Sequence, residues 1–365
     1  SGVLKGKTFD LTNRVYITKS LTLQATSSNP ADTHIVGARD LNPIGNTLGI
    51  GPAAVRCIYA ADVNNVVIKG FTIRDGASQA VTKEGDCAAG YPGSVVGYGN
   101  SRCYLVDCVV SNCVGTRASS ARSCTAVRTL FSSNVAMAGN DFGRGNNYFH
   151  CVFRGCASYC QNCKVVNCTF VDNLGQAFSD GGASPLYNSI ISSHFGITAT
   201  RDTAKNNVVT ADFRELSGGS FANNVKINRP IFAPLVGDYR PLAGSGAEML
   251  GNVSWLKAEA EAQNVPESVE VYKSMDGVTI DPDSSEPIAA GAFQTSATAA
   301  TGAITYANAG MVTEGCATSC SNLWAYSETS PRILVSQLDT RDRSLFSIER
   351  SESCGNVFFP DDETR

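Results

Sequence analysis

Three side chains fall at one recurring offset in this sequence and have the chemistry to cut a polysaccharide. Asp141 in GNDFGRGNN, Asp180 in AFSDGGA and Arg201 in TATRDTAKNN each lie twelve residues after a repeated small-residue position. Glycoside hydrolysis uses two carboxyls about 5–10 Å apart, and a neighbouring arginine would hold a uronate for elimination. The same residues also fit plain turns, which favour Asp and Asn, and an exposed Asp180–Arg201 ion pair adds little.

The other candidates are thinner. Of the three histidines, His34 falls in an early strand, His150 at a bend or outer face, and His194 on an asparagine-rich ladder. Each reads more simply as a ladder or surface histidine than as a base. CASYCQNC (156–163) has knuckle-like spacing, but zinc sites pair two knuckles on tight turns. Here the partner cysteines would be Cys103, Cys108 or Cys113, whose spacing follows the repeat instead, so no metal is expected. No G-x-S-x-G, Walker A, dinucleotide-binding or HExxH pattern is present, and no cofactor is implied.

The elements that would position these residues come from a repeat. Eight segments align: IKGFTIRDG (68–76), LVDCVVSNC (105–113), AVRTLFSSN (126–134), YFHCVFRGC (148–156), VVNCTFVDN (165–173), LYNSIISSH (186–194), AKNNVVTAD (204–212) and ANNVKINRP (222–230). One column reads Ile73, Val110, Phe131, Phe153, Phe170, Ile191, Val209 and Ile227, all residues that favour buried strand positions. Two residues earlier stand Phe71, Cys108, Thr129, Cys151, Cys168, Ser189, Asn207 and Val225, on the same strand face. The column before that, from Gly70 through Asp107, Arg128, His150 and Asn167 to Asn224, suits a bend or an outer face. After a first step of 37 residues, occupied by a Gly-rich inserted loop at 82–100, the rungs recur every 17–22 residues. One strand signature per such step predicts an all-β fold, a right-handed parallel β-helix or solenoid in which each coil stacks on the last.

Two stretches carry a family resemblance. VYITKSLTLQATSSNPADTHIVG (15–37) with AVRCIYAADVNNVVIKGFTIRDG (54–76), and RPIFAPLVGDYRPLAGSGAEMLG (229–251) with MDGVTIDPDSSEPIAAGAFQ (275–294), resemble the opening and closing elements of bacterial right-handed parallel β-helix repeat proteins of the polymorphic outer-membrane and choice-of-anchor type. The resemblance spans about residues 10–295 and implies the fold and a surface or secreted setting, but no single activity. The expected organisation is therefore a β-helix with its closing region over 1–295, then an Ala/Thr/Ser linker and a small C-terminal β module within 296–365. The segment 254–268 reads as a short amphipathic helix, with Trp255 and Leu256 packing, that caps or decorates the coil end.

Eleven of the 14 cysteines lie between Cys57 and Cys168. They fall on ladders: Cys103, Cys124, Asn146, Cys163 and Ser184 before the small-residue column, and Cys113, Asn134, Cys156, Asn173 and His194 after it. Coils about 4.8 Å apart lie inside the Cα window for a disulfide. Cys103–Cys124 and Cys151–Cys168 are thus either bridges between consecutive coils or thiols filling the core as small hydrophobes. Cys316, Cys320 and Cys354 read as a local staple.

Composition narrows the function. With 17% charged residues and a net charge of −4, the chain has no basic signature for nucleic acid, and no apolar run spans a bilayer. The abrupt SGVLKGKTFD and FFPDDETR ends read as those of a mature product or a fragment. The leading expectation is an extracellular or cell-surface protein whose rigid coil serves adhesion, glycan contact or self-assembly, with a glycan or cell-surface receptor as partner. The alternatives are a polysaccharide lyase or glycoside hydrolase using Asp141, Asp180 and Arg201, and a structural subunit of a fibre.

Overall fold

A computed structural model describes residues 2–4, 7–9 and 13–297 apart from gaps, of which the longer are 79–94, 99–102, 116–119, 137–142, 174–183, 193–197 and 228–237 with the exception of Phe232. The C-terminal module expected within 296–365 lies almost wholly outside the described residues.

The described chain is all-β with little helix, and its strands form long parallel sheets. Through six passes the chain visits three sheets in a fixed order and returns to the first, and three further passes extend only the second and third of them. Sheet 1 contains Asn13–Ile17, Arg56–Ala61, Val95–Tyr98, Ala121–Arg122, Gly143–Arg144 and Cys160–Gln161. Sheets 2 and 3 have nine strands each. Their third rungs are Cys103–Val106 and Val109–Ser111, and their sixth are Lys164–Val166 and Thr169–Val171. Part of the loop expected at 82–100 is thus a strand, Val95–Tyr98, that continues sheet 1.

The predicted columns hold through most of the stack. Ile73, Val110, Phe131, Phe153, Phe170, Ile191 and Val209 follow one another in register on sheet 3 and are fully buried. Phe131, Phe153 and Phe170 stack face to face at 5.0 and 4.5 Å. With Ile68, Leu105, Tyr148 and Val165 of sheet 2, and Ile58 and Ala121 of sheet 1, they build one apolar core. The last rung corrects the sequence alignment by one residue. Val209 pairs with Lys226, not Ile227, and Asn224, not Val225, takes the small-residue position, where its Oδ1 accepts from the Asn207 amide at 3.2 Å. The run ANNVK holds two successive asparagines, so the apolar pattern alone does not fix its register.

The corner between sheets 2 and 3 turns on a single residue in the left-handed region. Gly70, Asp107, Arg128, His150, Asn167, Asn188, Asn206 and Asn223 have φ between 48° and 78°. Gly, Asn and Asp adopt this conformation most readily; Arg128 and His150 are the exceptions.

From Arg128 to Asn188 that corner is buried. Residues 238–297 run back along the stack as a strap and cover it. The helix Val253–Ala262 begins at Asn252, whose Oδ1 caps the Ser254 amide at 2.8 Å, and it buries Val253, Leu256 and Ala260. Those residues, with Val269, Val271 and Ile280, pack on the outward side chains Val106, Val127, Phe149, Val166 and Tyr187 of sheet 2. Trp255 stacks on Tyr187 at 4.9 Å. The helix therefore lies along the flank of the stack rather than over its end, because the outer face of sheet 2 is itself apolar.

Candidate binding face

The cysteine ladders are structural. All ten described cysteines are buried and reduced. The register pairs Cys103 with Cys124 as expected, and Cys168 Sγ lies 3.4 Å from the Cys151 amide, yet no bridge joins either pair. In-register parallel strands keep Cβ atoms near the strand spacing of about 4.8 Å, beyond the roughly 3.5–4.5 Å that a disulfide requires. The Cα distance permits a bond; the Cβ geometry does not. Burial pushes the Cys108 thiol up to about 11 and the Cys156 thiol up to about 12, far from the thiolate that a nucleophile or metal ligand needs. No cluster of three metal-ligating side chains occurs among the described residues.

Asp141, Asp180 and Arg201 lie outside the described residues, as do His194, Cys316, Cys320 and Cys354. His34 is exposed but committed: its Nδ1 accepts from Arg74 Nε at 2.9 Å and its Nε2 faces the Ala31 carbonyl at 2.8 Å. His150 is buried under the strap rather than at the surface.

Sequence reading missed sheet 1, whose composition sets it apart. Its six strands contain Arg14, Arg56, Arg122 and Arg144, with Tyr16, Tyr59 and Tyr98, and no carboxylate at all. Ile17, Ile58, Ala60 and Ala121 point into the core, so their neighbours Tyr16, Tyr59 and Arg122 point outward. Tyr16, 59% exposed, stacks on Tyr59 with ring centroids 5.5 Å apart and planes 18° from parallel. The Arg56 guanidinium sits 6.0 Å from the Tyr59 ring. The ladder continues Tyr59–Val96–Arg122–Arg144–Gln161, advancing about 4.8 Å per rung. Strands of two residues show no alternation, which is why the pattern is hard to see. A signal was nevertheless available: Arg122, Arg144 and Gln161 each stand two residues before a ladder position, Cys124, Asn146 and Cys163.

The apolar contacts of the strap fall on sheets 2 and 3, not on sheet 1. A recess of 710 Å³ in the strap itself is walled by Glu261, Glu267 and Glu270 around Tyr272, a charge opposite to that of sheet 1. No helix among the described residues is long and apolar enough to cross a membrane.

Comparison with known proteins brings no match, whether to a family model, a curated protein or a solved structure.

Proposed function

We propose that this chain is a right-handed parallel β-helix of the surface or secreted kind its sequence resembles, and that the outer face of sheet 1 binds an extended acidic glycan. The coil reading is supported by the order of the strands: each of six successive passes adds one parallel strand to each of the three sheets, and three further passes extend sheets 2 and 3. Parallel crossovers of this type are right-handed almost without exception.

The observation that carries the function is the composition of sheet 1. Arg14 and Arg122 flank the stacked Tyr16 and Tyr59 on a face whose strands carry no carboxylate, in a protein of net charge −4. Arginine matches carboxylate and sulfate groups through paired donors, and aromatic faces accept the apolar side of a sugar ring. A repeating ladder suits a repeating polymer. The reading places the protein outside the cell, where such polymers occur.

Affinity electrophoresis through gels containing polygalacturonate, neutral mannan or single-stranded DNA tests this. Retardation is expected in polygalacturonate alone. The Tyr59→Ala/Arg122→Gln double variant should bind about tenfold or more weakly, since one charge-assisted hydrogen bond contributes roughly 1.5–3 kcal/mol. Equal retardation of the variant, or retention by DNA instead, would sink the assignment. Shortening of the polymer would replace it with a lyase or hydrolase.

A further inference from the structure

Five successive rungs place Arg128, His150, Asn167, Asn188 and Asn206 at the corner beneath the strap, all with positive φ. Four of these side chains grip the strap's backbone. Arg128 Nη1 donates to the Glu270 carbonyl at 2.6 Å and to the Lys273 carbonyl at 3.2 Å. Asn167 donates to the Ala289 carbonyl at 3.2 Å. Asn188 donates to the Asn252 carbonyl at 2.8 Å and accepts from the Asn252 amide at 2.9 Å. Asn206 donates to the Leu250 carbonyl at 2.8 Å and accepts from Trp255 Nε1 at 3.2 Å.

His150 breaks the series. It is fully buried, and neither ring nitrogen has a hydrogen bond of ordinary geometry; the Val271 backbone offers only a weak one. A side chain at the centre of the clamp is thus sealed in without a hydrogen bond of ordinary geometry to the strap. Buried polar groups are rarely left so, and an unpaired imidazole tolerates burial only while neutral.

Its surroundings do not welcome a proton. On its own corner the neighbours are Arg128, fixed to Asp107 at 2.6 Å, and the neutral Asn167. From the strap, Glu270 faces Arg128 at 3.9 Å and Lys69 at 3.6 Å. Asp276 is the strap carboxylate that favours the imidazolium. Its oxygens are already taken by Ser274 Oγ, the Gln294 amide, and the Thr295 amide and hydroxyl. Burial first, and Arg128 second, lower the His150 pKa to about 3.

We propose that His150 is an acid-operated release for the strap: taking up a proton in the undocked state lifts residues 247–295 from the corner and uncovers the apolar faces of sheets 2 and 3. The sign follows from linkage. An undocked, solvated His150 binds its proton near pH 6.5, whereas the docked one resists until about pH 3. Undocking therefore takes up a proton throughout that window, and docking weakens as pH falls from about 6.5, by about tenfold per unit. Above that range docking is insensitive to pH. Asp276 contributes only below about pH 5: burial raises its pKa, but its hydrogen bonds outweigh this and hold it below the usual carboxylate value of about 3.9, so its own proton uptake on undocking begins at the acid end of the window.

Hydrogen exchange of the full chain between pH 7.5 and 5.0, corrected for the intrinsic rate at each pH, reads the release directly. Peptides covering 253–280 should lose about tenfold in protection per unit below pH 6.5, while those covering 164–171 hold theirs. His150→Asn should dock and show a flat profile, because three neighbouring rungs carry asparagine in the same conformation. Should that variant misfold, the imidazole signals of histidine-labelled wild type decide: His150 stays neutral down to pH 4.5 in every molecule with its strap docked. A flat wild-type profile, an unchanged slope in His150→Asn, or a docked His150 titrating near pH 6.5 would each overturn the proposal.

Discussion

Cys168, Ser189, Asn207 and Asn224 do one job with three kinds of side chain. Each sits at the small-residue corner and accepts a hydrogen bond from the amide one rung before. Cys168 Sγ takes the Cys151 amide at 3.4 Å, Ser189 Oγ the Cys168 amide at 3.0 Å, and Asn207 Oδ1 the Ser189 amide at 2.8 Å. Asparagine does more, because Asn207 also donates to the Leu186 carbonyl at 3.1 Å. The flanking ladders repeat this: Asn134 and Asn173 cap Cys113 and Cys156, and Asn146 caps Cys124. The abundance of cysteine thus reflects a position that demands a small side chain in a dry corner. Asn207→Ala should cost about 2 kcal/mol or more, since it orphans a buried donor and a buried acceptor. Cys168→Ser, which keeps size and accepts from the same amide, should stay within about 1 kcal/mol of wild type. Urea denaturation measures both, and equal losses would mean that volume rather than capping governs the ladder. These columns were legible in the sequence because size and polarity repeat at one period. Whether the paired cysteines bridge or stay thiols was not a matter of period, since Cβ separation depends on how the strands stand side by side.

At the level of elements, the strap is the part that local pattern could not disclose. Its helix was visible in SWLKAEAEA, and the mixed column Asp107, Arg128, His150, Asn167 was recognised as a bend or outer face. Nothing local says that the two meet, because the contact joins residues more than a hundred positions apart, such as Arg128 and Glu270. The fit is close at Gly291. Its φ is 96°, its amide donates to the Asn188 carbonyl at 2.8 Å, and an added Cβ would meet Ile190 Cδ1 at 2.8 Å and Thr169 Oγ1 at 2.9 Å. Gly246, also in the strap at φ 90°, has nothing within 4 Å of that point. Gly246→Ala therefore carries only the backbone cost of about 1–2 kcal/mol. Gly291→Ala adds overpacking of about 1–3 kcal/mol and should loosen the strap more. Exchange protection over 253–262 compares the two; equal protection would mean that the strap yields at Gly291 without strain.

For the whole molecule, the strap changes how a stacked fold shares its stability. A repeat array is close to a sum of rung and neighbour terms, so its ends fray most easily. The strap spans several rungs at once: it touches Val106, Val127, Phe149, Val166 and Tyr187 on sheet 2, and Val152, Ile190 and Val208 on sheet 3. The middle rungs are thereby coupled to one another beyond their strand pairing. The first and last rungs, Thr22–Gln24 and Phe221–Ala222, have a strand neighbour on one side only. The last also leaves Val225 39% exposed. Native-state hydrogen exchange at pH 7.5 should show Cys124–Val127 through Lys164–Val166 opening together as the slowest unit. Phe221–Ala222 should open at least about 2 kcal/mol more easily, since frayed ends fall at the low end of the range of local openings. Removing the clamp with Arg128→Met should narrow that gap by exposing the middle rungs, without speeding exchange in Phe221–Ala222. Uniform protection from the first rung to the last in the wild type would mean that strand stacking alone sets the cooperativity and that the strap merely covers it.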